Sequence, residues 1–77
     1  MQQNEVIGNR IMELCMEKNM TLRMLGEQSG LTYRRVYRLA HGGHTDPSIF
    51  TILRICDTMG ITVDEFVSTE EFKEYRI

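Results

Sequence analysis

The apolar positions of this chain recur three and four residues apart, which is the spacing of one face of an α-helix. Ile11 and Leu14 show this spacing early in the chain, and the second half has a predicted core stripe of Ile49, Ile52, Leu53, Cys56 and Met59. No stretch of useful length alternates apolar and polar residues as a half-buried strand does. The pattern predicts an all-α fold, with helices over about 5–18, 22–28 and 32–41, a fourth helix ending before Gly60 and a fifth opening at Thr62.

Residues that cap helices stand at the predicted boundaries, because Ser, Thr, Asp and Asn side chains accept hydrogen bonds from free backbone N–H groups. Asp46 precedes Pro47, and proline suits the first helical position since it lacks an N–H. Thr62-x-x-Glu65 is a capping box, and the same motif at 68–71 indicates a short sixth helix. The other predicted caps are Asn4, Thr21 and Thr32, and the predicted helix ends are Asn19, Gly42 and Gly60.

The segment 21–42 carries two short helical patterns on either side of Ser29-Gly30-Leu31. Gly30 adopts a positive φ at no steric cost, so it suits a sharp turn between two helices. Gly26 has no side chain, so the two helix axes can approach closely where they cross. Two helices joined by a turn of this length form a helix-turn-helix.

Arg34 and Arg38 lie one turn apart on the second of these helices, nearly opposite its inward face. Like charges at this spacing cost roughly 0.2–0.5 kcal/mol. Arg34 and Arg35 also occupy the first turn, where the helix dipole disfavours cations. An anionic partner would remove both penalties, so this arrangement favours DNA contact over a merely solvated face.

Composition fits one small helical domain filled by Ile, Leu, Val and Met. The chain has 77 residues, 42% of them apolar and none of them Trp, and its net charge is −2. The charge is unevenly distributed, since residues 21–42 hold four Arg and one Glu, whereas residues 63–77 hold five acidic and two basic side chains. A local basic face is the electrostatic footprint of nucleic-acid binding, and the low total predicts modest non-specific affinity.

Other chemistries find little support in the sequence. Cys15 and Cys56 fall on apolar helical stripes, which indicates small buried hydrophobes in a reducing compartment. Neither combines with His41 or His44 in a zinc-binding spacing, and we expect no metal and no cofactor. No nucleophile–base set or carboxylate pair indicates an enzyme. The first residues lack a signal-peptide pattern and no apolar run has membrane-spanning length, so we expect a cytoplasmic protein.

Several motifs recur in one known family. They are Ile11-x-x-Leu14, Lys18-Asn19-Met20-Thr21-Leu22, Leu25-Gly26-Glu27-Gln28-Ser29-Gly30-Leu31-Thr32, Val36-Tyr37-Arg38-Leu39-Ala40-His41-Gly42, Asp46-Pro47-Ser48, Leu53-Arg54-Ile55-Cys56 and 59–66. In this order and with these loop lengths, residues 7–66 resemble the lambda-repressor/Cro-type helix-turn-helix domain, the XRE family. The resemblance implies a compact five-helix, lambda-repressor-like domain, with room for the short sixth helix. It spans residues 1–77, with a core over about 5–67, the helix-turn-helix over 22–41 and a C-terminal extension over 68–77.

The resemblance also implies double-stranded DNA as the partner, with the third helix in the major groove. The base contacts that it implies are Thr32, Tyr33, Arg34, Arg35 and Arg38. The phosphate contacts that it implies are Arg10, Thr21, Leu22, Arg23, His44 and Thr45. We expect Tyr37 to brace the helix or to reach the DNA backbone, and Tyr33 either to meet a base or phosphate or to pack against the second helix.

The chain departs from the family pattern at three places. Leu22 stands where the family often has a phosphate-binding Gln, so only its backbone N–H can serve. The loop 43–46 lacks the Lys and Arg residues common in the family. Cys15 and Ala40 occupy positions where many members of the family pair an Arg with a Glu. Because both charged residues are replaced here, no unpaired charge is left buried.

A homodimer reading two half-sites is expected, because one domain of this size makes few contacts. The C-terminal apolar set is one surface for it, and the alternative is that Phe72 folds back onto the first and fifth helices. This set comprises Phe66, Phe72, Tyr75 and Ile77. The alternative to a DNA-binding transcriptional regulator is a protein-interaction module, such as an antitoxin or co-regulator, on the same scaffold. Binding to DNA weakens steeply with salt, which separates the two functions.

Overall fold

The computed structural model describes residues 3–42 and 47–73, and within these ranges every regular element is a helix. This confirms the predicted all-α fold, with five helices and a short sixth. The helices are α1 (Gln3–Glu17), α2 (Leu22–Ser29), α3 (Tyr33–Ala40), α4 (Ile49–Met59), α5 (Val63–Phe66) and α6 (Glu70–Lys73).

One apolar core joins the first five helices. α3 packs against α1 and α2, and α4 packs against α2 and α5. Cys15 and Ala40 are both buried in this core, so packing does occupy the two positions where the family often has an ion pair. The core residues are Ile11, Leu14, Cys15, Leu25, Leu31, Val36, Leu39, Ala40, Ile52, Ile55, Cys56, Met59 and Phe66.

Three threonines cap helices as the sequence predicts. The side-chain oxygen of Thr21 accepts from the backbone N–H of Met24, and Thr32 caps α3 in the same way. Thr62 forms the complete capping box with Glu65 at the start of α5. The predicted left-handed ends are also present, at Asn19, Gly30, Gly42 and Gly60.

Three predicted boundaries were wrong. Asn4 lies inside α1, which begins at Gln3. The predicted start of the fourth helix at Asp46-Pro47 is too early, since Ser48 caps α4 by accepting from the N–H of Thr51 at 3.2 Å and Pro47 precedes the helix. Asp46 itself lies outside the described residues. Ser and Asp are nearly equal as caps, so local propensity does not rank them. Ser68 does not directly precede α6, which begins at Glu70, and its hydroxyl donates to the Glu65 carbonyl of α5 at 2.7 Å.

Burial also determines the protonation state of the two thiols. Cys15 and Cys56 are free cysteines in the core, and burial raises the pKa of each thiol above its ordinary value of 9.0. At Cys56 the nearby Arg10 charge opposes this rise in pKa and Glu65 adds to it. Both thiols therefore stay neutral near pH 7 and pack as small apolar groups.

Two glycines let helix backbones touch at the ends of α3. A Cβ on Gly26 would lie 2.7 Å from the carbonyl carbon of Thr32, which confirms the predicted close approach of α2 and α3. A Cβ on Gly8 would lie 2.6 Å from the carbonyl oxygen of Ala40, so α1 meets the other end of α3 equally closely. Neither neighbour is a flexible side chain, and α3 is held between two backbone contacts.

Gly8→Ala is therefore expected to lower the free energy of unfolding by about 1–3 kcal/mol, because the added methyl displaces the α3 backbone. In an open helix the same change raises stability, by roughly 0.5–1 kcal/mol. Urea unfolding followed by circular dichroism measures the difference. Glu17→Ala, an exposed change on the same helix, is the control. A Gly8→Ala protein as stable as the wild type would contradict a backbone contact at this position.

Candidate functional site

The outer face of α3 carries two arginines. Arg34 and Arg38 are exposed, whereas Val36, Leu39 and Ala40 on the opposite face are buried. Within the described part of the chain, neither guanidinium group forms a hydrogen bond or an ion pair. The two arginines line a shallow open depression of about 500 Å³ together with Tyr33 and Tyr37. This face offers ten N–H donors to an external anion.

A second row of side chains runs along the edge of the same helix. The Arg23 guanidinium lies over the Tyr33 ring at 4.4 Å, and the Tyr33 and Tyr37 rings meet edge to face at 5.8 Å. The Tyr37 ring in turn lies 4.1 Å from the ring of His41. We call these four residues the stacked row. Tyr33 thus packs against α2, as one of its two predicted roles requires, and still exposes 38% of its surface.

The first turn of α3 has an unusual backbone. Thr32 has φ +78°, which is rare for a β-branched residue, and its hydroxyl accepts from the N–H of Arg35 at 3.4 Å. The first turn of α2 is open, with Thr21 exposed and Leu22 partly buried against the core. The free backbone N–H groups of that turn form a small electropositive end.

Arg35 is turned away from the Arg34–Arg38 pair. Its guanidinium donates to the Thr51 hydroxyl at 3.3 Å, and Thr51 is a buried residue of α4 that also meets Ser48 at 3.2 Å. This link ties the start of α3 to the start of α4. The geometry disfavours the predicted base contact for Arg35, because the side chain is held by a protein group.

Arg10 also bonds to protein groups. It donates to the carbonyl oxygens of Phe66 and Glu65, both at 2.8 Å, and pairs with Glu13. Only 9% of its side chain is exposed. These bonds satisfy the C-terminal carbonyls of α5 and tie α5 to α1, which disfavours the predicted phosphate contact for Arg10.

The two described members of the C-terminal apolar set, Phe66 and Phe72, are buried or half-buried. Phe66 is 1% exposed and belongs to the core, and its ring meets that of Phe72 at 5.9 Å. Phe72 folds back onto the core, so the alternative prediction is correct for this residue and Phe66 is excluded from an interface. Tyr75 and Ile77 lie outside the described residues, as do the predicted phosphate contacts His44 and Thr45.

An apolar surface is exposed elsewhere, on the N-terminal half of α4. Phe50 exposes 75% of its surface, Ile49 57% and Leu53 43%. The three side chains lie within one sector of the helix, at positions i, i+1 and i+4. We call them the α4 apolar face.

The sequence did not lead us to predict His41 as a member of the stacked row or Gly8 as a contact between helices. His41 follows Tyr33 and Tyr37 at four-residue intervals, and this spacing was the signal for a row along one edge of α3. Gly8 stands inside a helical pattern, where a glycine often marks a close contact. The exposed α4 apolar face was missed because Ile49 and Leu53 were assigned to the core by their helical spacing.

Two further kinds of feature are absent from the described residues. Among them, no group of three or more His, Cys, Asp or Glu side chains is placed to hold a metal ion. No helix in these ranges combines the length and apolar character needed to cross a membrane.

Comparison with known proteins gives one match. The model of a helix-turn-helix family matches residues 11–66, which is most of the chain. The matched span runs from the middle of α1 to the end of α5 and includes the whole outer face of α3. No curated protein matches the chain, and no solved structure matches it.

We expect Arg10→Ala to lower the free energy of unfolding by about 1.5–3 kcal/mol, because the two α5 carbonyls lose a charged donor. Urea unfolding measures this loss. Arg54→Ala is the matched control, since Arg54 makes only one long bond, 3.5 Å to the Ser29 carbonyl. If Arg10→Ala cost no more stability than Arg54→Ala, the structural role of Arg10 would be wrong.

Proposed function

The chain belongs to the Cro/C1-type helix-turn-helix family, the XRE family, whose members are DNA-binding domains rather than typical enzymes, and on this premise we propose that it is a transcriptional regulator. It binds double-stranded DNA sequence-specifically, with α3 as the reading helix in the major groove. Its location is the cytoplasm, where DNA is accessible and thiols stay reduced.

The observation that carries this proposal is the pair Arg34 and Arg38 on the outer face of α3. Each is exposed and without an intramolecular partner in the described ranges, although the pair repels itself. Eight helical residues extend about 12 Å, and an α-helix fits the major groove. An arginine side chain reaching a guanine edge donates to O6 and N7 together, which is the commonest specific contact.

The other proposed DNA contacts are of two kinds, to bases and to phosphates, and they lie at different places. Tyr33 and Thr32, at the start of α3, are the further base contacts. Arg23, Thr21 and the backbone N–H of Leu22, at the start of α2, hold a phosphate, because a helix N-terminus attracts anions. Tyr37, His44 and Thr45 complete the phosphate contacts. Arg10 and Arg35 are left out of the proposed interface since protein groups engage them.

The small number of exposed positive side chains on this face determines how strongly the DNA affinity depends on salt. Each phosphate neutralised adds a slope of about −0.9 to the change of log affinity with log salt concentration. Arg23, Arg34 and Arg38 are the exposed cations of this face, so one domain has a shallow slope and weak non-specific affinity. Sequence preference therefore depends on base contacts more than on total charge.

Selection from random duplexes tests the proposal as a whole. We expect an enriched motif containing guanines and a binding affinity that falls with salt. Two copies of the motif, spaced by about one helical turn of DNA, are expected if a dimer binds. Failure of the wild-type protein to enrich any sequence would reject the proposed function.

Arg34→Ala and Arg38→Ala are each expected to weaken binding to the selected duplex by about 1–3 kcal/mol and to relax preference at one base pair. Fluorescence anisotropy against single-base-pair variants of the duplex measures both effects. Lys73→Ala removes one positive charge from α6 and is expected to leave the preference unchanged. Variants of Arg34 and Arg38 that keep wild-type affinity and preference would show that α3 is not the reading helix.

The α4 apolar face supports a homodimer as the second part of the proposal. Ile49, Phe50 and Leu53 carry no charge, so DNA has nothing to bind there, whereas a second copy presents the same apolar surface. The Arg35–Thr51 bond ties this end of α4 to α3, so a copy packed here brings two reading helices together. The same face is the observation that favours the other candidate function, a protein-interaction module with a different protein as partner.

Phe50→Glu is expected to convert a dimer to a monomer, because it places a charge in each copy at the contact. Sedimentation velocity at several protein concentrations measures the oligomeric state. Thermal unfolding is the control, and little change is expected since Phe50 lies outside the core. A wild-type protein that stays monomeric at high concentration would reject self-association and leave a different protein as the occupant of this face.

A further inference from the structure

The stacked row sets the position of Tyr33 before any ligand arrives. Arg23 covers one side of the ring at 4.4 Å, and Tyr37 meets it edge to face at 5.8 Å. Tyr37 is itself held by His41 at 4.1 Å. A tyrosine side chain has only two rotatable torsions, so these contacts leave it little freedom.

The row is not part of the core. Arg23, Tyr33, Tyr37 and His41 are all exposed, and the burial of the core does not depend on them. Core packing therefore does not account for the ordered contacts among these four side chains. Tyr33 and Tyr37 also line the depression that contains Arg34 and Arg38, so the row borders the proposed base-reading face along its length.

The guanidinium carbon of Arg23 lies over the Tyr33 ring, 4.4 Å from its centroid. A guanidinium that stacks on a ring uses its flat face and keeps the N–H groups at the edge of its plane for other partners. Two roles for Arg23 follow from this geometry. A phosphate contact uses the N–H edge and has the same strength on every DNA sequence. A positioning role uses the flat face and acts only through the residue that the guanidinium covers.

We propose that Arg23 is a positioning residue for base recognition, because it holds the Tyr33 ring against the base pair that Tyr33 meets. This inference rests on the proposed function and goes beyond it, since it gives Arg23 control over sequence preference. The residue lies on α2, outside the reading helix. The selectivity of the interface thus extends across the turn between the two helices.

The test compares Arg23→Ala, Tyr33→Leu and the double variant on the selected duplex and on all of its single-base-pair variants. We expect Arg23→Ala to reduce the preference by about two- to fivefold at the position where Tyr33→Leu also reduces it. The double variant is expected to show no greater loss of preference than Tyr33→Leu alone, because both changes act on one ring.

Arg23→Lys is the matched control for charge. Lysine keeps the positive charge and hence the salt slope, but it lacks the flat guanidinium that stacks on a ring. We expect the salt slope of wild type together with a reduced preference at the Tyr33 position. Thermal unfolding and the nuclear Overhauser contacts between Arg23 and Tyr33 verify the fold and the stack in the free protein.

Two results would overturn the inference while leaving the proposed function intact. The first is a loss of affinity in Arg23→Ala that is equal on all duplexes and leaves the preference at the Tyr33 position unchanged, which is the signature of a phosphate contact alone. The second is wild-type preference in Arg23→Lys. Absence of any sequence preference in the wild-type protein would reject the proposed function instead, and that result is obtained before any variant is made.

Discussion

The position of α3 depends on backbone contacts that leave no room for a side chain. At its start, Gly26 of α2 lies against the backbone of Thr32, and at its end, Gly8 of α1 lies against Ala40. Between these contacts the apolar face of α3 is buried, so neither sliding nor rotation is free. Arg34 and Arg38 on the outer face do not take part in core packing. The helix that carries them is rigidly held, as a binding site requires.

Some arginines of this chain form hydrogen bonds that join its helices, and others face outward. Arg10 closes α5, and Arg35 ties α3 to α4. Arg34 and Arg38 do neither, and Arg23 contacts a ring that is itself exposed. This division reconciles a net charge of −2 with a DNA-binding domain. The positive charge of the outer face is small and locally concentrated, and five of the eleven acidic side chains lie in the last fifteen residues.

The sequence predicted the helices, most caps and the contact at Gly26 because these depend on periodicity and on neighbours within four residues. It also predicted Arg34 and Arg38 on the outer face of α3, which follows from the angle between helical positions. It did not predict the bonds of Arg10, whose partner Phe66 lies 56 positions away. The link of Arg35 to Thr51 and the burial of Phe66 are likewise tertiary, and helical spacing alone does not distinguish a core face from an exposed one on α4.

The positive φ of Thr32 limits which residues can begin α3. The position combines φ +78° with ψ 148°, a backbone region that essentially only glycine occupies without strain, and it also supplies an oxygen to the N–H of Arg35. Glycine meets the first demand but has no side-chain oxygen, whereas threonine supplies the oxygen and bears the strain. Positions 34 and 38 carry neither demand, since both side chains are exposed. Exchanges at those two positions therefore leave the start of α3 intact, whereas an exchange at Thr32 alters either the backbone or the cap.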